Sequence, residues 1–130
     1  MSTDTYGTVF KGGSATCLAR VVGHDAAAVT RTDISSIEYS IYLLDADDPD
    51  SRTVLSGHDA VAVDKITTVF DSLQTDARWT RDTTGYNFRH TIDVTSSAAF
   101  TLAGRDYLVE YRLTPYTGQV ILVRFRLHCI

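Results

Sequence analysis

The side chains in this 130-residue chain whose types could do chemistry are few: His24, His58, His90 and His128, Cys17 and Cys129, and the acidic run Asp45, Asp47, Asp48 and Asp50. Hydrolysis by Ser or Cys needs a nucleophile, a neighbouring base and a group that orients the base. No Gly-x-Ser-x-Gly elbow occurs. Both cysteines fall on the apolar phase of alternating segments, where a thiol behaves as a small buried hydrophobe rather than as an exposed thiolate. They are far apart and belong to neither a CxxC nor a zinc pattern. Their even number permits a disulfide, but nothing in the sequence points to an oxidising compartment. The histidine spacings match no local zinc motif. His24 and His58 read as turn residues, His90 as a core histidine on an inward phase, and His128 as an outward residue. The stretch Asp45 to Asp50 is the best metal candidate, because Ca²⁺ takes several carboxylate and carbonyl oxygens from one flexible loop. Pro49 and the lack of a central Gly and a distant Glu depart from the EF-hand pattern, which favours a solvated loop of turn-forming Asp. The expectation is therefore a non-enzyme with no cofactor and no bound metal.

The segment Trp79 to His90 is the most distinctive, since it gathers the single Trp with Tyr86, Phe88, Arg81 and Arg89. Aromatic side chains with Arg suit a binding surface, and Trp79, Tyr86 and Tyr116 would form a platform for carbohydrate or another ligand. The competing reading places Trp79 in the core and turns the chain through Asp82 to Gly85. That reading is favoured, because aromatics dominate the burial of small cores.

Those residues must be positioned by strands. Ile121, Val123, Phe125, Leu127 and Cys129 share one phase of a period-two run, and Arg124, Arg126 and His128 share the other. Tyr107, Val109, Tyr111 and Leu113 alternate with Glu110 and Arg112 in the preceding run. Pro115 and Gly118 between the two suit a hairpin turn, so the last quarter reads as a long β-hairpin in which Glu110 or Arg112 faces Arg124 or Arg126. The same alternation covers Ile37 to Leu43, Phe88 to Val94 and Cys17 to Val21, with short strands near Thr8 to Phe10 and near Thr53 to Leu55 or Val61 to Val63. That makes about seven strands with turn signals between them, the pattern of an all-β, antiparallel sandwich. Ile66, Val69, Phe70 and Leu73 fall at helical spacing behind Asp64, a good N-cap, and predict one short helix around 64–73. Residues 1–13 read as a polar arm with a possible short strand, and 14–130 as the sandwich domain. The tetrapeptides Gly23-His24-Asp25-Ala26 and Gly57-His58-Asp59-Ala60 echo each other as turn chemistry.

Composition narrows the partners. An apolar fraction of 44% and a charged fraction of 22% are those of an ordinary globular domain. At a net charge of −4, with no cluster of Lys and Arg, a phosphate-neutralising surface is missing, so nucleic acid is not expected. No apolar run approaches the ~20 residues that cross a bilayer, and Met1 to Gly13 has no apolar core for a secretion signal. A cytoplasmic or particle-associated protein is expected, not a membrane one. Lys11 and Lys65 are the only lysines. The Arg preference fits either bidentate recognition at a protein contact or a coding bias of the genome.

Ala19 to Leu43 and Trp79 to Ile130, with Gly104-Arg105-Asp106-Tyr107-Leu108-Val109-Glu110-Tyr111 as a glycine followed by a Tyr-x-Val strand opening, resemble an immunoglobulin-like β-sandwich. Among such domains the chain is similar to the small sandwich modules of tailed-phage and prophage-like particles, the baseplate, tail and head-accessory proteins. Cys129 lies in the last strand, so the immunoglobulin disulfide is absent and antibody-type recognition does not carry over. The resemblance implies a structural or interaction protein that binds protein subunits, as a homo-oligomer or within a larger virion-like assembly. Its docking face would comprise Arg124, Arg126 and His128 on a terminal, possible edge strand, with Leu108, Leu122 and Tyr42 on outward phases.

Overall fold

The computed structural model describes residues 5–23, 27–48, 50–80 and 82–130. His24, Pro49, Arg81 and the first four residues of the arm lie outside the described residues, so expectations placed on them are not taken further. The described residues form nine strands: β1 (Thr5–Val9), β2 (Thr16–Ala19), β3 (Ile34–Leu44), β4 (Arg52–Val54), β5 (Val61–Val63), β6 (Val69–Gln74), β7 (Tyr86–Thr91), β8 (Asp106–Pro115) and β9 (Ile121–Cys129). One helical turn, α1 (Lys65–Thr68), and a 3₁₀ turn at Arg31–Asp33 complete the elements.

The strands fall into two sheets, one mixed and one antiparallel. The larger runs in the order β1-β9-β8-β3-β4, with β5 also on β3, and the smaller in the order β2-β7-β6. The expected hairpin is present: β8 and β9 pair antiparallel from Asp106 opposite His128 to Leu113 opposite Ile121. β3 lies on the other side of β8, with Tyr39 opposite Tyr111 and Ile41 opposite Val109. The inward phases of β3, β8 and β9 meet Cys17, Phe88 and Ile92 from the smaller sheet in one core. Phe88 stands edge-on to Tyr111 at 4.8 Å between ring centroids, a direct contact between the two sheets.

Three expectations are corrected by this arrangement. The helix ends after one turn. Asp64 does cap it, accepting a hydrogen bond from the Ile66 amide at 2.9 Å, but from Val69 the chain is the strand β6. Val69 is buried while Ile66 is exposed, so the apolar spacing at 66–73 does not mark one helical face. The Arg31 guanidinium donates through Nε to the Val69 carbonyl, and the Arg31 amide to the Asp71 carboxylate, holding the segment extended. Second, β9 is not an edge strand: β1 pairs with it in parallel, with Tyr6 opposite Arg126 and Thr8 opposite His128. Third, Leu108 is 5% exposed, not part of an open apolar surface. It sits on the outer phase of a central strand between Tyr42 and Arg126, and those two large neighbours cover it.

β4 and β5 are two halves of one edge strand on β3. The interruption, Leu55 to Ala60, remains tied to β3 through the Ile41 amide to the His58 carbonyl at 2.9 Å and the Leu55 amide to the Ile41 carbonyl at 2.8 Å. The excursion turns the His58 side chain into the space between the sheets.

Candidate functional site

The outer face of the larger sheet brings most of the expected docking residues together. One row crosses five of the six strands: Val54 on β4, Tyr42 on β3, Leu108 on β8, Arg126 on β9 and Tyr6 on β1. The Arg52 guanidinium stacks 4.1 Å from the centroid of the Tyr42 ring, and Arg126 lies 5.9 Å from that of Tyr6. In the neighbouring row Glu110 accepts from Arg124 Nε at 2.8 Å and lies 4.0 Å from Arg52. His128 pairs with Asp106 at 2.7 Å. Leu122 is 40% exposed on the next outward position, opposite Arg112. Four arginines (52, 112, 124, 126) face three acids (Glu38, Asp106, Glu110), so this face has a formal charge of +1 on a chain of −4. The rest of the chain therefore carries −5. Tyr6 and Arg52 were not anticipated on this face, because both come from short strands whose pairing has no local signature.

Of the ligand-platform residues, Trp79 and Tyr86 are in contact but Tyr116 lies elsewhere. Tyr86 is 0% exposed, its ring 5.7 Å from Trp79 and its hydroxyl 2.7 Å from the Asp76 carboxylate. Tyr116 is exposed, but it lies over Lys65 and lines a different cleft, of about 870 Å³, with Val22, Ala28 and Val120. Trp79 is half-buried and donates through Nε1 to Asp82 at 2.8 Å. The same carboxylate accepts from the Thr84 and Gly85 amides and pairs with Arg20 at 2.7 Å, which holds it far below the usual carboxylate range. Asp82 to Gly85 thus forms the expected turn, and the Trp79 indole is its lid.

Between the sheets lies a polar chain. The Tyr39 hydroxyl is 2.9 Å from His58 Nδ1, and His58 Nε2 is 2.8 Å from the Ser97 carbonyl. A carbonyl only accepts, so Nε2 carries the proton and Nδ1 accepts from Tyr39. The Tyr39 ring also packs against His90, whose Nδ1 meets the Tyr111 hydroxyl at 2.7 Å, and Tyr111 contacts the Cys17 thiol. Burial pushes the Cys17 thiol up to about 12, so it is a poor nucleophile. His58 is 1% exposed with both ring nitrogens engaged, which leaves it no free lone pair for a substrate or metal. His90 borders a small polar cleft of about 440 Å³ with Asp64, Thr67 and Arg89. His58 and its loop were read as a turn; its burial depends on where β4 and β5 pair, which the local sequence does not encode.

The acidic loop binds itself. Asp45 accepts from the amides of Asp47 at 2.8 Å and Asp48 at 3.1 Å, and Asp48 from that of Asp50 at 3.2 Å. Among the described residues no three His, Cys, Asp or Glu side chains converge to hold a metal ion, and no helix is long and apolar enough to cross a membrane. Cys17 and Cys129 are both buried and unpaired with each other.

No family model matches the chain, and no curated protein or solved structure matches it either.

Proposed function

We propose that this chain is a non-enzymatic interaction protein: an immunoglobulin-like sandwich that serves as a subunit or accessory module of a phage-like particle or another large assembly. The outer face of the larger sheet is its docking face, and a second copy of the chain is the first partner. The observation that carries this reading is the continuous row Val54, Tyr42, Leu108, Arg126 and Tyr6, with Arg52 stacked on Tyr42. Tyr and Arg are the residues that concentrate binding energy at protein contacts. Charge supports a second copy as occupant, because a +1 arginine-bearing face meets −5 on the rest of an identical molecule, including the four aspartates of the β3–β4 loop. A face docking on a different surface of its neighbour gives a head-to-tail contact, which closes into a ring when the rotation permits.

A ligand-binding module built on Trp79, Tyr86 and Tyr116 has less to stand on, since Tyr86 is in the core and Tyr116 lines another cleft. Light scattering on size-exclusion fractions decides between the two. The expected result is a discrete oligomer that Leu122→Asp, at a partly exposed position on the face, converts to monomer. A wild-type protein that stays monomeric at every concentration overturns the reading.

A further inference from the structure

We propose that β1 is an exchangeable arm, able to leave β9 of its own chain and pair in the same register with β9 of a second copy. This goes beyond the docking of the outer face and, the Tyr6–Arg126 contact apart, stands on different observations.

The first is how little β1 gives to the core it flanks. Thr5, Gly7 and Val9 lie on the phase that points between the sheets, opposite Phe125, Leu127 and Cys129. Of the five residues, Val9 alone is buried, and Gly7 is exposed although it faces inward. The smaller sheet ends at β2. Between its edge and β1 a cleft of about 340 Å³ is lined by Thr5 to Thr8 and Ser14 to Leu18. What holds β1 is therefore a short parallel ladder, a pairing slightly weaker per residue than an antiparallel one, with almost no apolar burial. Such a segment belongs to the low-stability end of a structure, where local opening is easiest.

The second is the pivot. Val9 and Lys11 are both tied to the body, the Ile130 amide donating to the Val9 carbonyl at 2.9 Å and the Lys11 amide to the Ile130 carbonyl at 2.8 Å. Gly12 follows with φ of +76° and nothing within 4 Å of where a side chain would begin. The chain can change course at this glycine turn at the cost of releasing Val9, the one buried side chain of the arm, and the bond of 2.7 Å from the Gly12 amide to the Phe100 carbonyl.

The third observation points to the occupant. Tyr6 at 72% and Phe10 at 73% are the most exposed large hydrophobic side chains among the described residues, and both belong to the arm and its pivot. In a reciprocal exchange the two pivots approach each other about a two-fold axis, so that two copies of Phe10 cover one another. An opened β9 offers the register that β1 already fits: Gly7 against the Leu127 side chain, Tyr6 beneath Arg126, Val9 beside Cys129. Each copy carries both halves of that match.

The test uses two full-length variants, Thr8→Cys and His128→Cys, at exposed positions that are direct partners in the β1–β9 register. In a closed molecule neither introduced thiol has a partner. The two are mixed at high concentration, incubated and oxidised, with Thr8→Cys and Leu122→Cys as the off-register control. Exchange predicts a covalent Thr8–His128 heterodimer at about ten-fold or more over the control, because in-register docking holds the thiols at millimolar effective concentration. Equal yields from the two mixtures overturn the proposal. An oligomer in light scattering with equal cross-linking yields rejects arm exchange and leaves the docking-face reading standing. In-register cross-linking that is unchanged in the Leu122→Asp background, in a protein whose mass that substitution does not alter, does the reverse.

Discussion

The Tyr39 hydroxyl donates to Nδ1 of His58 across 2.9 Å, joining β3 to the loop that interrupts the edge strand beside it. His58 in turn reaches the Ser97 carbonyl, so a single buried imidazole links three separate parts of the chain. Each of its nitrogens is satisfied, and removing either partner strands a buried polar atom. Tyr39→Phe is expected to cost about 1–3 kcal/mol in urea unfolding, the range for leaving a buried group unsatisfied. His58→Leu leaves both the Tyr39 hydroxyl and the Ser97 carbonyl without a partner and should cost at least as much. If the Tyr39→Phe chain unfolds with the wild-type midpoint, the bond contributes nothing to the fold.

Acid should destabilise the protein in two stages. Burial holds His90 below its ordinary value of 6.5, so just below that pH the unfolded chain binds a proton that the folded one does not. Unfolding free energy therefore rises with pH in this window and falls as the solution is acidified through it. Asp76, Asp93 and Asp45 are all held below their ordinary value of 3.8 by hydrogen bonds. Their contribution is complete above that value and is lost as pH drops below it. Urea midpoints measured from pH 7 to pH 3 should show both declines. His90→Gln should remove the first and leave the second, and a single decline confined to the carboxylate range in the wild type would contradict the His90 assignment.

The two thiols should be silent until the protein unfolds. Cys17 and Cys129 are both buried, and Cys17 is pushed up to about 12, so at neutral pH its thiolate is scarce as well as inaccessible. Labelling with a maleimide or an aromatic disulfide reagent should proceed at the global unfolding rate and stop when unfolding is suppressed. Fast stoichiometric labelling of the native protein would show that the core around Cys17 opens locally.

How far the sequence could be read depended on whether a feature was set by its own residues or by its neighbours. The β8–β9 hairpin was legible because the inward phases Tyr107 to Leu113 and Ile121 to Cys129 flank turn-forming Pro115 and Gly118, and Glu110 meets Arg124 as expected. Leu108 was misplaced because period two assigns a phase and not an exposure. On a central strand the outward phase is still covered when Tyr42 and Arg126 stand on either side. Phe70 and Leu73 match both a helix and a strand over so short a run, and tertiary contacts with Arg31 decide for the strand. The parallel pairing of β1 leaves no trace in Thr5 to Val9 at all, yet it determines that β9 is an interior strand. The same holds for the candidate docking face: its β8 and β9 members were visible, whereas Tyr6, Val54 and Arg52 join it only through long-range pairing.

Two glycines separate backbone conformation from crowding. Gly85 has φ of +108°, and a Cβ built on it would lie 2.5 Å from the Gln74 carbonyl oxygen, a backbone atom held by the β6–β7 pairing. Gly104 has φ of +84° with nothing within 4 Å. An alanine at Gly104 meets the steric cost of the left-handed region alone, about 1 kcal/mol. At Gly85 it must also displace the strand beside it, so Gly85→Ala should cost roughly 2–4 kcal/mol when strain and the left-handed region are combined. Because Asp82 accepts from the Gly85 amide and also holds the Trp79 indole, the same substitution should shift the Trp79 emission to the red while Gly104→Ala leaves it unchanged. Equal destabilisation by the two alanines, measured by urea unfolding with Trp79 as the probe, would mean that the β6–β7 end yields freely and that Gln74 does not constrain the turn.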